Sequence, residues 1–263
     1  MTDHSTSFVD IRGDRLQVMR GGTGDRLVVL HGAGGAAAWL PYMEKLAQRF
    51  DVIVPQHPGF GGSKLPDWLE TVVDLANFYL DFLDQLDLRN AHLVGFSLGG
   101  WIAAELAIRN ASRLATLTLV GAAGLHLPGV PQVDIFARSE EQAIRELFHD
   151  QTLADDMVKR VVTPDSEDIR LSNQLVVARL AWQPRFHDPQ LAKWLHRIRV
   201  PTLVVWGEQD RLFPKEYAAA YQRLIPGARS VIIPHCGHLP EIEKTDAFVS
   251  AVESFCAKER VAA

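Results

Sequence analysis

Apolar positions in this chain follow two alternating patterns. Leu27-Val28-Val29-Leu30, Val52-Ile53-Val54 and His92-Leu93-Val94 are short unbroken runs, as expected of strands covered on both faces. From Trp68 to Leu86 the apolar residues Trp68, Val72, Leu75, Tyr79, Phe82 and Leu86 instead recur at spacings of three and four. That spacing predicts an amphipathic helix with one buried face. Further helices are predicted over 98–109, 215–224 and 245–256, and strands over 114–120, 200–206 and 230–233. Near the start, 8–11 and 16–19 alternate apolar and polar around Gly13-Asp14, which reads as a hairpin.

Strands alternating with helices predict an α/β fold with a mostly parallel central sheet flanked by helices. The stretch 125–199 breaks the alternation. It shows helical patterns over 140–148, 153–161 and 168–180 and no clear strand. We therefore divide the chain into a core, 1–124 and 200–263, and an inserted helical cap, 125–199. The cap is expected over the sheet's C-terminal edge, where open α/β sheets bind ligands.

At 263 residues the chain suits one such domain with an insertion. A net charge of −5, with no block of like charge, argues against nucleic acid or an anionic membrane as partner. No apolar run is long enough to span a bilayer, and Met1 to Ser5 do not open a secretory signal. Two cysteines, Cys236 and Cys256, make no disulfide framework. The expectation is a cytoplasmic protein with a small-molecule substrate; a homodimer is left open.

Candidate chemistry centres on Gly95-Phe96-Ser97-Leu98-Gly99, which lies between a predicted strand and a predicted helix. At such a turn a serine hydroxyl is pushed out of the fold, and helix N–H groups face whatever it attacks. Serine needs a base, and the base needs a carboxylate to orient it. Asp210, in the loop after the 200–206 strand, is preferred as the acid over Glu208. His238, preceded by Gly237 in the loop after the last strand, is preferred as the base over His235. Cys236 is set aside as a nucleophile because Ser97 has the better context. The oxyanion donors are expected to be the N–H groups of Leu98 and Ala33, with Gly34 as the alternative to Ala33. Gly32, Gly34, Phe96, Leu239 and Trp182 are expected to contact substrate. Phe136, Phe148, Leu180 and Phe186 are further pocket candidates. No H-E-x-x-H or paired cysteines suggest a metal, and this chemistry requires no cofactor.

The motifs His31-Gly-Ala-Gly-Gly35, Pro58-Gly-Phe-Gly-Gly-Ser63, Gly95-Phe-Ser-Leu-Gly-Gly100, Trp206-Gly-Glu-Gln-Asp210 and Gly237-His238 together resemble the α/β-hydrolase superfamily over nearly the full chain. The resemblance implies a Ser97–His238–Asp210 triad under a helical cap. Two branches look similar: small bacterial esterases and the C–C hydrolases of aromatic ring-cleavage pathways. The latter usually carry asparagine before the nucleophile and tryptophan after the histidine, where this chain has Phe96 and Leu239. They also use a cap arginine, for which Arg179 and Arg185 are the candidates. The sequence alone therefore favours a serine esterase or thioesterase, with C–C bond hydrolysis by the same triad as the alternative. A non-catalytic binding module is a third reading, disfavoured because all three triad residue types are present.

Overall fold

The computed structural model describes residues 3–61 and 63–262. Gly62 of the Pro58–Ser63 motif, Met1, Thr2 and Ala263 lie outside the described residues. In chain order the elements are β1 (His4–Ile11), β2 (Asp14–Gly21), β3 (Asp25–Leu30), α1 (Pro41–Leu46), β4 (Phe50–Pro55), α2 (Val72–Gln85), β5 (Ala91–Phe96), α3 (Leu98–Arg109) and β6 (Leu114–Val120). There follow α4 (Glu140–Leu147), α5 (Gln151–Val161), α6 (Glu167–Ala181), α7 (Leu191–Trp194), β7 (Thr202–Gly207), α8 (Glu216–Leu224), β8 (Arg229–Ile233), α9 (Pro240–Glu243) and α10 (Thr245–Ala262).

Among the described residues the strands form one eight-stranded sheet in the order β1-β2-β4-β3-β5-β6-β7-β8. β1–β2 and β2–β4 are antiparallel, and every pairing from β4 to β8 is parallel. The β1–β2 hairpin turns on Arg12-Gly13, both at positive φ, one residue earlier than the Gly13-Asp14 turn expected.

Strand periodicity sorts the core into two layers. Val28 and Leu30 of β3 face the layer packed by α2 and α3, whereas Leu27 and Val29 face that of α1 and α10. Chain direction explains why both layers exist. From β3 the chain crosses to β4 through α1, then returns past β3 to β5 through α2. Right-handed crossovers in opposite directions must place their helices on opposite faces. The strand order therefore reverses between β3 and β5, and it is beyond the C-terminal ends of strands at such a reversal that open α/β sheets bind ligands. The loop after Leu30 and the turn after Phe96 both start there, with Leu30 paired to Gly95.

Two differences from the sequence reading have physical causes. α2 starts at Val72, not Trp68, because Thr71 and Asp74 form a reciprocal capping box. Trp68 precedes the helix and stacks on Phe78 from outside, ring centroids 5.5 Å apart, which mimics helical spacing. The helices α1, α7 and α9 leave no mark in the periodicity, since four to six residues are too few to show a 3.6-residue period. Between β6 and β7 the helices α4, α5 and α6 lie where the periodicity placed them.

Candidate active site

Ser97 joins β5 to α3 with φ 50° and ψ −112°, a conformation costing a non-glycine residue about 1–3 kcal/mol. Three backbone bonds hold it there. The Ser97 N–H donates to the Val120 carbonyl at 2.8 Å, and its carbonyl accepts from Trp101 N at 3.1 Å and Ala123 N at 3.0 Å. The flanking glycines are required by close approach. A Cβ on Gly95 would collide with the Gly99 carbonyl, and one on Gly99 with the carbonyls of Leu30 and His31. Helix α3 thus packs directly on the end of β3, and Ser97 is brought beside the loop that follows it.

Asp210 and His238 lie in the loops after β7 and β8. Backbone bonds join these loops: Glu208 N to Ile233 O at 2.9 Å and Gln209 N to Cys236 O at 2.8 Å, with the Gln209 side chain accepting from Cys236 N at 2.9 Å. Asp210 is buried; its Oδ1 accepts from Leu212 N and Phe213 N, both at 2.9 Å. Its Oδ2 accepts from His238 Nδ1 at 2.7 Å. That bond puts the ring proton on Nδ1 and leaves Nε2 as an acceptor. Nε2 is buried and has no hydrogen-bond partner among the described residues. Burial works against charging the ring, but the charge and hydrogen bond of Asp210, with help from Glu241, outweigh it and raise the His238 pKa above the ordinary imidazole value.

Ser97 and His238 meet the same turn from two sides. Ser97 is bonded to Val120 and Ala123, and a Cβ on Gly121, between them, would come within 3.0 Å of the His238 ring. On the other flank, a Cβ on Gly32 would lie 3.3 Å from Ser97 Cβ and 4.0 Å from its Oγ. Gly32 therefore lies against the serine side chain. The 32–35 turn is closed by Gly35 N to Gly32 O at 3.1 Å. The N–H groups of Ala33 and Leu98 have no protein acceptor among the described residues.

A buried histidine pair supports this turn. His57 N donates to His31 Nε2 at 2.9 Å, so the His31 proton sits on Nδ1, which donates to Gly32 O at 2.7 Å. His57 in turn contacts the His31 carbonyl at 2.9 Å and Tyr79 Oη at 2.5 Å. Burial pushes the His31 pKa down to about 4 and lowers that of His57 as well, so both rings are neutral near pH 7.

Other candidates fall elsewhere. Phe96 was expected to contact substrate, but its ring turns into the core between Tyr42 and Phe248, each centroid 5.4 Å away. Strand parity is the reason: Phe96 shares the face of Val94, toward α1 and α10. Glu208 pairs with Lys215 at 3.4 Å, away from His238. His235 is exposed and faces His149. Cys236 is buried, and burial together with Glu243 and Glu241 pushes its thiol pKa up, which removes nucleophilic character. Leu239 is half-buried at the start of α9, and a Cβ on Gly34 would meet open space. Trp182 is half exposed. It ends a row of rings running from His238 through Phe213, Phe186 and Phe136. Arg185 stacks on Trp182 and pairs with Asp134, while Arg179 is exposed.

Sequence reasoning missed several residues here. Leu147, at the end of α4, accepts from His238 N at 2.7 Å, and Glu243 accepts from Asp150 N at 2.8 Å and from Gly237 N. The junction of α4 and α5 is thus tied to the histidine loop. Glu241, three residues after His238, is buried with Oε2 unpartnered among the described residues, and burial pushes its pKa up to about 7. Between its ordinary 4.5 and about 7 the folded chain holds a proton that the unfolded chain has lost, so stability falls as pH rises through that window. Glu241→Gln removes this penalty. Above pH 7 the variant should be more stable than the parent by up to roughly 3 kcal/mol, with the gap closing near pH 4, as read by urea unfolding across pH.

A family model described as alpha/beta hydrolase fold matches residues 25–245. The chain is 28% identical over 268 residues to 2-hydroxy-6-oxo-6-(2'-aminophenyl)hexa-2,4-dienoic acid hydrolase of Metapseudomonas resinovorans, covering 95% of this chain and 90% of that protein. It is 30% identical over 254 residues to 2-hydroxy-6-oxo-6-phenylhexa-2,4-dienoate hydrolase of Comamonas testosteroni, covering 86% of each. The solved 2-hydroxy-6-oxo-6-phenylhexa-2,4-dienoate hydrolase of a Rhodococcus strain shares the fold at a TM-score of 0.80 and 21% identity, covering 97% of this chain and 99% of that one. The family match spans the Ser97 turn, the helices α4–α6, and the Asp210 and His238 loops. On that match, and on the sheet order that sets Ser97 at the reversal between β3 and β5, the chain belongs to the alpha/beta hydrolase fold family.

Proposed function

We propose that this chain is a serine hydrolase that cleaves a carbon–carbon bond next to a ketone in a small dienoate, with Ser97, His238 and Asp210 as its triad. The observation that carries the mechanism is the His238 ring, buried, oriented by Asp210 and left with an accepting Nε2 beside the turn that holds Ser97. His238 takes the Ser97 proton as Oγ attacks the ketone carbon, and the N–H groups of Ala33 and Leu98 hold the developing oxyanion. Once the proton of the 2-hydroxyl has moved to C5 to give the 2-keto tautomer, the C–C bond breaks, its electron pair passes through the C3–C4 double bond onto the 2-keto oxygen, and the dienolate so formed takes the proton from His238. Water, activated by the same imidazole, then releases the acyl group as a carboxylic acid. The helices α4–α6 act as a cap that encloses the site, with Trp182 at its outer edge.

The choice of bond rests on the relatives, whose names specify hydrolysis of 2-hydroxy-6-oxo-dienoates. They favour the C–C reading over the ester reading that Phe96 and Leu239 suggested. Ester hydrolysis stays as the second reading because of one observation: Arg179 is exposed and Arg185 is paired with Asp134, so neither stands ready for a dienoate carboxylate.

The deciding experiment measures kcat/KM for 2-hydroxy-6-oxo-6-phenylhexa-2,4-dienoate and for a series of p-nitrophenyl esters. Loss of the dienoate chromophore at a kcat/KM above that of every ester is the expected result. Rapid ester turnover with the dienoate untouched would establish the esterase reading instead.

A further inference from the structure

We propose that Asn173, on helix α6, is a positioning residue that makes the oxyanion turn at Gly32–Gly35 depend on the seating of the helical cap. This rests on the serine-hydrolase reading above. Asn173 is a buried amide on a helix whose other face is open, with Leu171 and Leu175 exposed. Its two polar atoms serve two different loops of the core. Nδ2 donates to the Gly34 carbonyl at 3.3 Å, and Oδ1 accepts from Gly61 N at 3.0 Å. The partners are 139 and 112 residues away in sequence. Neighbouring Val176 is buried against Gly59 of the same loop, where an added Cβ would come within 3.0 Å of it.

The Gly34 carbonyl needs an external grip. It lies one residue after Ala33, whose N–H is the oxyanion donor in our reading. Among the described residues the turn itself is closed at Gly35 N to Gly32 O, and Ala36 N is held by Gln56 Oε1 at 2.7 Å. Between those anchors Gly34 has no side chain and, among the described residues, no packing neighbour around its Cβ position. Among the described residues, the Asn173 amide is the hydrogen-bond partner of that carbonyl. When α6 lifts, the Ala33 donor loses its orientation; when α6 seats, the donor is aimed. Substrate that holds the cap down thereby completes the hole that serves its own transition state.

Asn173→Asp separates this role from simple packing. The aspartate is isosteric. Ionised, it still accepts from Gly61 N but cannot donate to Gly34 O; protonated, it regains the donor. At pH 8, kcat should fall about 10- to 100-fold while KM changes by less than about threefold, the effect of a misaimed catalytic group. The ratio of variant to parent kcat should rise as pH is lowered and the aspartate takes up its proton. Asn173→Ala should show the same loss of kcat with no recovery at low pH. It decides the matter alone if the aspartate variant does not fold. Parent-like kcat in both variants, or a rise in KM with kcat intact, would overturn the proposal. Failure of the underlying reading looks different, because the parent enzyme itself would then show no turnover dependent on Ser97.

Discussion

Ser97→Ala should lower kcat by about a million-fold, the loss seen when a triad nucleophile is removed from a site that keeps its other parts. The variant should also lose the pre-steady-state burst that reports an acyl-enzyme. The size follows from the arrangement. His238 Nε2 is an accepting nitrogen with no hydrogen-bond partner among the described residues, and without the Ser97 hydroxyl it has no nucleophile to activate. Folding should be unharmed or slightly improved, since alanine also resists φ 50° but places no polar atom in the closed site. Stopped-flow release of p-nitrophenol checks the burst, and steady-state turnover checks kcat. A residual rate within tenfold of the parent would assign nucleophilic attack to another group.

Asp210→Asn should cost about four orders of magnitude in kcat, the scale for replacing the orienting carboxylate of such a triad. An amide in this place offers an N–H to His238 Nδ1 and turns the ring proton to Nε2, the wrong nitrogen for a base. A second signature separates this from general damage. In the parent, Asp210 keeps the His238 pKa above the ordinary value against the opposing effect of burial. Activity needs neutral imidazole, so it rises with pH through that raised pKa. Removing the carboxylate leaves burial unopposed by its largest partner, and the acid limb of the kcat/KM profile should move to lower pH as its plateau drops. A limb that moves upward, or stays in place, would mean that Asp210 does not set the charge of this ring.

The sheet was legible because buried parallel strands are written as unbroken apolar runs. Leu27–Leu30 and Leu203–Val205 need no partner to be recognised. The Ser97 turn was legible for a related reason: its glycines are demanded by backbone contacts with Gly99, Leu30 and His31. The position of Phe96 was misread because the motif drew attention to sequence adjacency, while the alternation Leu93, Val94 already told which face its side chain takes. The supports of the site were hidden for a deeper reason. The carbonyl of Leu147 that holds His238 N, and that of Gly34 held by Asn173, belong to the backbone, and no residue type marks them. Asn173 itself reads as an ordinary polar position in a helix. Glu241 looks like a surface acid after a proline, and only its burial shows otherwise.

The central claim is that one hydroxyl among the chain's serines is activated by the His238–Asp210 pair. Stoichiometric labelling with a fluorophosphonate, located by tandem mass spectrometry and repeated in His238→Ala, tests it most directly. The expected result is a single adduct on Ser97 in the parent and almost none in the variant. Labelling at another residue, or equal labelling of Ser97 without His238, would contradict it.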